Sequence, residues 1–167
     1  EDVREAYVGR FAPAPPRDLH FGSLVAALGS WLRARSQGGQ WLIRIEDLDP
    51  PREVAGSAER IIDALTAFGM TSDAAIVVQS TRTDLYQAAL DRLIAAGIAF
   101  PCACSRKQLE TSNGLHMAAC AAPEPGSTFA WRARVPDIDV SFVDGVVGRY
   151  SQSLRRDVGD FVLRRND

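Results

Sequence analysis

The apolar residues of this chain change period in a regular order. In "EAYVGRFAP", Tyr7 and Val8 form the apolar centre of a short strand, which Pro13, Pro15 and Pro16 bring to a stop. From Leu19 the period lengthens. Leu24, Val25, Leu28, Trp31 and Leu32 share one face at helical spacing, and Gly38 and Gly39 end the helix. "QWLIRIE", Gln40 to Glu46, is a second strand. Strand, helix and strand in such quick succession compose a βαβ unit, which predicts parallel pairing through a right-handed crossover. The rhythm then repeats. A helix over "AGSAERIIDALTAFGM" turns Ile61, Ile62, Leu65 and Phe68 inward, "AAIVVQS" returns to the sheet, and a helix from Thr81 to Ala96 turns Leu85, Leu90, Leu93 and Ile94 inward, with Gly97 at its C-terminal end.

After "IAFPCAC" the alternation stops. Residues 105–130 are rich in Ala, Pro and Gly with weak periodicity, and "TFAWRARVP", "VSFVDGVVG" and "DFVLRR" read as short strands separated by Gly or Pro turns. The organisation expected is a Rossmann-like α/β half over 1–98, an inserted subdomain over 99–150 and a return strand over 151–167. No internal repeat or low-complexity tail interrupts this plan.

Composition narrows the classes. The chain has 167 residues, 46% of them hydrophobic, enough for one good core. No apolar run approaches the roughly 20 residues of a membrane span, and "EDVREAYV" is charged where a signal peptide would be apolar, so a cytoplasmic location is expected. With a net charge of −2, no global positive field announces a nucleic-acid binder, and any RNA contact must be a local patch. Of the 19 basic residues only Lys107 is a lysine. Three cysteines, two of them in "CAC", are too close and too odd in number for ordinary disulfides and point to metal.

Two constellations carry candidate chemistry. In an open α/β sheet, ligands bind beyond the carboxyl ends of the strands, where a helix N-terminus offers N–H groups and partial positive charge to an anion. Arg10, His20, Gly22 and Ser23 all lie at that end of the first βα unit. His20 can donate to a phosphate oxygen, Gly22 lets a nucleotide approach the backbone, and Arg10 can grip a carboxylate bidentately. The second constellation is Cys102, Cys104, His116 and Cys120, spaced C-x-C-x11-H-x3-C. Two local pairs closed by one loop supply zinc with four ligands, and with every position filled and no general base nearby the ion expected is structural.

The order of these pieces resembles a known family. "RFAPAPPRDLHFGS" is similar to the HIGH signature of class I aminoacyl-tRNA synthetases in the glutamate branch. "IRIEDLDPPREVAGSAERIIDAL", "QSTRTDLYQAALDRLIAAGIAFPCAC", "WRARVP" and "GDFVLRR" match that branch in the same order. Within it, "DLDPPRE" resembles the glutamyl-Q tRNA(Asp) synthetases, short relatives without an anticodon-binding domain, which also carry C-x-C-x11-Y-x3-C; His116 here takes the tyrosine's place. The resemblance implies activation of L-glutamate by ATP with Mg, then transfer to queuosine in the anticodon of tRNA(Asp), by a monomer. It assigns the glutamate side to Arg10, Phe11, Ala12, Pro13, Ala14 and Glu46, with Arg10 on the side-chain carboxylate and Glu46 on the α-ammonium. The ATP side, and with it catalysis, falls to His20, Gly22 and Ser23.

The chain also departs from the pattern. Ala14 stands where the family has a serine that helps bind the amino acid, and Pro16, Arg17 and Asp18 replace Thr-Gly-Pro. Losing one hydrogen bond to a charged ligand costs about 1.5–3 kcal/mol, so weakened glutamate binding is expected. Past "GDFVLRRND" the family continues into a lysine-bearing KMSKS-type loop, so the 167 residues taken alone are expected to be catalytically impaired. Two other functions fit parts of the sequence: a stretch of a discriminating glutamyl-tRNA synthetase, and a non-catalytic zinc-stabilised RNA-binding module using "WRAR" with Arg149, Arg155 and Arg156.

Overall fold

The computed structural model of the chain describes residues 6–15, 18–49, 53–109, 114–116, 120 and 123–165. Pro16, Arg17 and the "PPR" of the "DLDPPRE" wording lie outside these residues. The chain forms two compact units, 1–83 and 84–167. The division falls within the "QSTRTDLYQ" stretch, ahead of the 98/99 boundary that the change of rhythm suggests.

The first unit is a three-stranded sheet in the order β1 (Val8–Phe11), β2 (Gln40–Ile45), β3 (Val77–Val78). Both pairings are parallel, as the βαβ pattern predicts, with Gly9 opposite Trp41 and Ile45 opposite Val78. Two helices supply the crossovers, α1 (Phe21–Ser36) and α2 (Ser57–Ala67). Alternation along β2 sorts its residues: Trp41, Ile43 and Ile45 are buried in one core with Ala27, Ala34, Ile61, Leu65 and Met70, while Leu42 and Arg44 are half-buried on the other face.

The buried positions of α1 differ from those the apolar spacing suggests. Ala27 and Ala34 are fully buried, Leu24 and Trp31 partly so, whereas Val25, Leu28 and Leu32 are exposed. The cause is closeness of approach: a Cβ on Gly9 would stand 3.3 Å from the Ala34 Cβ and from the Ser30 carbonyl, so only small residues fit between helix and sheet. Trp41 closes this contact by donating Nε1–H to the Ser30 hydroxyl at 2.9 Å. Phe68 is likewise exposed, because α2 ends before it and Gly69, at φ 75°, turns the chain away.

The segment leading to β3 is tied to the sheet by side chains. The Asp73 carboxylate accepts the Trp41 N–H at 2.6 Å and pairs with both Arg35 guanidinium nitrogens at 2.6 and 3.0 Å, and the Ser72 hydroxyl accepts the Ile43 N–H.

The second unit begins with α3 (Thr83–Ala95), of which Leu90 is buried, Leu93 and Ile94 are half-buried and Leu85 is exposed. An antiparallel sheet follows in the order β4 (Ala99–Cys102), β5 (Ala130–Ala133) and, at the chain's far end, β8 (Val162–Arg164), with the short helix α4 (Arg106–Leu109) after β4. Between β5 and β8, β6 (Asp139–Asp144) and β7 (Gly148–Ser153) form a hairpin. The sequence reading treats "VSFVDGVVG" as one strand; the Asp144 carboxylate instead accepts the N–H groups of Val146 and Val147 and folds the chain back on itself. No helix among the described residues is long and apolar enough to cross a membrane.

Candidate functional site

The carboxyl end of β1 and the start of α1 meet around a cleft of about 490 Å³. Its lining brings together most of the predicted residues of this region: Phe11, Ala12, Pro13 and Ala14 from the loop after β1, and His20, Gly22 and Ser23 from the helix start. His20 is the N-cap of α1. Its Nδ1 accepts the Ser23 N–H at 3.3 Å, and its Nε2 stands 3.1 Å from the Ser23 hydroxyl. Gly22 makes room for this ring, since a Cβ there would lie 3.1 Å from the His20 Cε1. The N–H groups of Phe21 and Gly22 precede the first intrahelical bond, in which Leu24 N–H donates to the His20 carbonyl, so the cleft opens on the positive end of a helix.

Arg10 and Glu46 do not line this cleft; they stand at the neighbouring strand ends. Arg10 is exposed on β1 opposite Leu42, on the sheet face turned away from the Trp41 core. Glu46 follows β2, and its N–H donates to the Pro13 carbonyl at 2.9 Å, which ties the acidic residue to the cleft-lining loop. The Glu46 carboxylate is paired with Arg44. Asp18 also lines the cleft and accepts from Arg60 Nε at 2.8 Å, joining the loop to α2.

Sequence reasoning passed over Asp47. One of its oxygens accepts the Ser80 N–H at 2.8 Å and the other accepts the Ser80 hydroxyl, so the ends of β2 and β3 are held together. Partial burial works against the charge, but these two bonds together with the backbone N–H groups of Asp47 and Gln79 outweigh it and keep the Asp47 carboxyl below its usual range. The signal was available in the acidic "IEDLD" and the "QS" after β3.

In the second unit Cys102, Cys104, His116 and Cys120 converge as their spacing predicts, with all four ligand atoms within 4.8 Å of one another. Cys104 Sγ lies 3.5 Å from Cys120 Sγ, and Cys120 Sγ lies 3.4 Å from Cys102 Sγ. A disulfide needs about 2.05 Å, whereas sulfurs on one tetrahedral zinc stand about 3.8 Å apart. The donors therefore fit a metal ion. His116 presents Nε2 to the sulfurs, 2.7 Å from Cys120 and 3.8 Å from Cys104, and its Nδ1 lies 3.2 Å from an Asp160 carboxylate oxygen.

Cys102 and Cys120 differ in how readily they ionise. Burial opposes ionisation of Cys102, but the Cys104 N–H, the thiols of Cys120 and Cys104, and Arg132 outweigh it and bring the group below its ordinary value. For Cys120, burial and the neighbouring Cys102 and Cys104 act together, and the thiol is pushed up to about 12. A divalent cation removes that mutual repulsion.

Of the five arginines of the RNA-binding alternative, Arg132, Arg134, Arg155 and Arg156 have partners within the protein. Arg132 donates to the Asp160 carbonyl at 2.8 Å, Arg134 stacks over Phe100 at 4.6 Å, Arg155 lies 3.6 Å from the Asp160 carboxylate and Arg156 bonds Asp157.

Comparison with known proteins gives this geometry a family. The model of the "tRNA synthetases class I (E and Q), catalytic domain" matches residues 7–165. A glutamyl-Q tRNA(Asp) synthetase of Pseudomonas putida is 50% identical over 163 residues, covering 97% of this chain and 54% of that protein. One from Neisseria meningitidis serogroup C is 48% identical, covering 96% of this chain and 58% of its own length. This chain thus spans a little over half the length of these relatives. Among solved structures, a glutamate tRNA ligase from Elizabethkingia meningosepticum, crystallised in complex with its amino acid, superposes with a TM-score of 0.82 at 27% identity, over 98% of this chain and 39% of that one. The chain belongs to the catalytic-domain family of the class I tRNA synthetases for glutamate and glutamine.

Proposed function

We propose that this chain carries the amino-acid- and nucleotide-binding part of an enzyme that activates L-glutamate with ATP and transfers it to queuosine in the anticodon of tRNA(Asp). The observation that supports this most directly is the cleft at the N-terminus of α1, where His20, Gly22 and Ser23 face the Phe11–Ala14 loop. The relatives named for that reaction add their weight. Transfer to tRNA places the reaction in the cytoplasm, and we assign it to a monomer.

In the activation step a carboxylate oxygen of glutamate attacks the α-phosphorus of ATP, the bond to the pyrophosphate oxygen breaks, and pyrophosphate leaves. The enzyme's task is to hold two anions together and stabilise the crowded phosphoryl centre. His20 and the first-turn N–H groups of α1 receive phosphate oxygens, and Gly22 and Ser23 let the nucleotide lie against the helix start. Arg10 takes the glutamate side-chain carboxylate, and Glu46 takes the α-ammonium, exchanging part of its pairing with Arg44. Ala14 contributes no hydroxyl, which weakens the amino-acid side. Cys102, Cys104, His116 and Cys120 would hold a structural zinc, which would cross-link β4 to His116 and Cys120.

Calorimetric titration of the chain with a non-hydrolysable glutamyl-adenylate analogue tests the site. Saturable one-to-one binding, weakened in His20→Ala, is expected, and no binding at millimolar analogue would overturn the assignment. The transfer step is tested in the source organism: deleting the gene removes glutamyl-queuosine from tRNA(Asp), as read by nucleoside mass spectrometry. Its persistence would sink the tRNA(Asp) reading.

A further inference from the structure

Asp160 is the one buried carboxylate among the described residues, 2% exposed. A charge taken that far from water survives only where its oxygens are matched by donors. One oxygen accepts the Val135 N–H at 3.0 Å, with Arg155 at 3.6 Å; the other stands 3.2 Å from His116 Nδ1. Its backbone grips the same histidine, for the Asp160 N–H donates to the His116 carbonyl at 2.8 Å. Arg132 fixes the Asp160 carbonyl in turn.

The chain is shaped to deliver this residue. A π-helical turn over Leu154–Val158 closes with the Gly159 N–H on the Leu154 carbonyl, and Gly159 then adopts φ 67°. A Cβ at Gly159 would stand 2.9 Å from the His116 carbonyl oxygen. Only glycine satisfies both that backbone conformation and that approach.

We propose that Asp160, set in place by Gly159, is the positioning residue of the metal centre. Its carboxylate accepts Nδ1–H of His116, so Nε2 is left without a proton and aimed at the three sulfurs. Imidazole ligands to metals are commonly oriented in this way through their second nitrogen. The proposal rests on the zinc reading and deepens it: it says which nitrogen binds and what holds the ring.

The test measures zinc affinity of the chain by competition with a chromophoric chelator. Wild-type protein is expected to bind one zinc, and Asp160→Asn to lose about 10- to 100-fold in affinity. In a His116→Cys background, where no second ring nitrogen exists, adding Asp160→Asn is expected to change affinity by less than about twofold. An unchanged affinity in Asp160→Asn, or an equal loss in both backgrounds, overturns the positioning role and leaves the zinc site standing. Far less than one zinc in the wild type overturns the metal reading and this proposal with it. Nitrogen-15 NMR of zinc-loaded wild-type protein needs no variant to fold: Nδ1 is expected to carry the proton, and metal on Nδ1 overturns the proposal.

Discussion

The His20 ring both caps α1 and stands at the mouth of the cleft, so two contributions share one side chain. They separate by substitution. His20→Ala removes the cap and is expected to cost about 0.5–2 kcal/mol of stability, whereas His20→Asn keeps a good capping residue and costs much less. Both are expected to weaken ATP binding, and urea midpoints beside nucleotide titrations check the pair. Normal ATP affinity in His20→Asn would assign the ring to capping alone. Ala14 offers the converse experiment. Ala14→Ser restores a hydroxyl to the cleft wall and is expected to raise L-glutamate affinity about tenfold or more. Asp73 contributes through pH. Its hydrogen bonds from Arg35 and from the Trp41 N–H hold its carboxyl below the usual range in the folded state. The stability it adds is therefore complete above the ordinary carboxylate value of about 3.9 and is lost as pH falls through the lowered folded value. Asp73→Asn is expected to be less stable at pH 7 and to show a flatter acid limb in urea midpoints measured from pH 7 to 3.

At the scale of elements, the strand–helix alternation up to Gly97 could be read because each piece is set by local pattern: period, Pro stops and Gly ends. The metal cluster could be read because its ligands are paired in sequence. What escaped depends on partners distant in the chain. The burial of Ala27 and Ala34 in place of Val25 and Leu28 follows from the closeness of α1 to Gly9, which no helical wheel contains. Asp160 meets His116 across 44 residues of chain, and the turn at Asp144 divides a run that alternates well enough to pass for one strand. A second close approach, between the backbones of Gly39 and Tyr7, makes two adjacent glycines unequal. A Cβ on Gly39 would fall 2.2 Å from the Tyr7 carbonyl oxygen, backbone that cannot move without opening the β1–β2 pairing. Gly38 has φ 61° but open space around it. Gly38→Ala is expected to cost about 1 kcal/mol through its backbone conformation, and Gly39→Ala more, about 1–3 kcal/mol from overpacking with strand displacement added. Equal urea midpoints would show that the β1–β2 edge yields more easily than its geometry implies.

For the whole molecule, the two kinds of chemistry fall in different units. The cleft with His20 belongs to 1–83, and all four metal donors belong to 84–167. The first unit has a core of its own, from Trp41 and Ile43 to Ile61 and Leu65. In the second, the buried apolar residues among those described are Leu90, Ala99, Cys102, Ala133 and Val135, while Phe142, Val143, Val146 and Val147 are exposed on the hairpin. On the zinc reading proposed above, a metal held by Cys102, Cys104, His116 and Cys120 would cross-link this unit, and its binding free energy would serve as folding free energy there. Removing the metal should therefore loosen the chain unevenly. In hydrogen-exchange mass spectrometry after chelation, amides of β4, β5 and β8 are expected to lose protection by about tenfold or more, while those of α1 and β2 change by less than about twofold. Restored zinc should return the first group to its starting rates. Equal loosening in both groups would mean that the metal stabilises the chain as one cooperative body, and no loosening in either would remove the cross-link from the account of its stability.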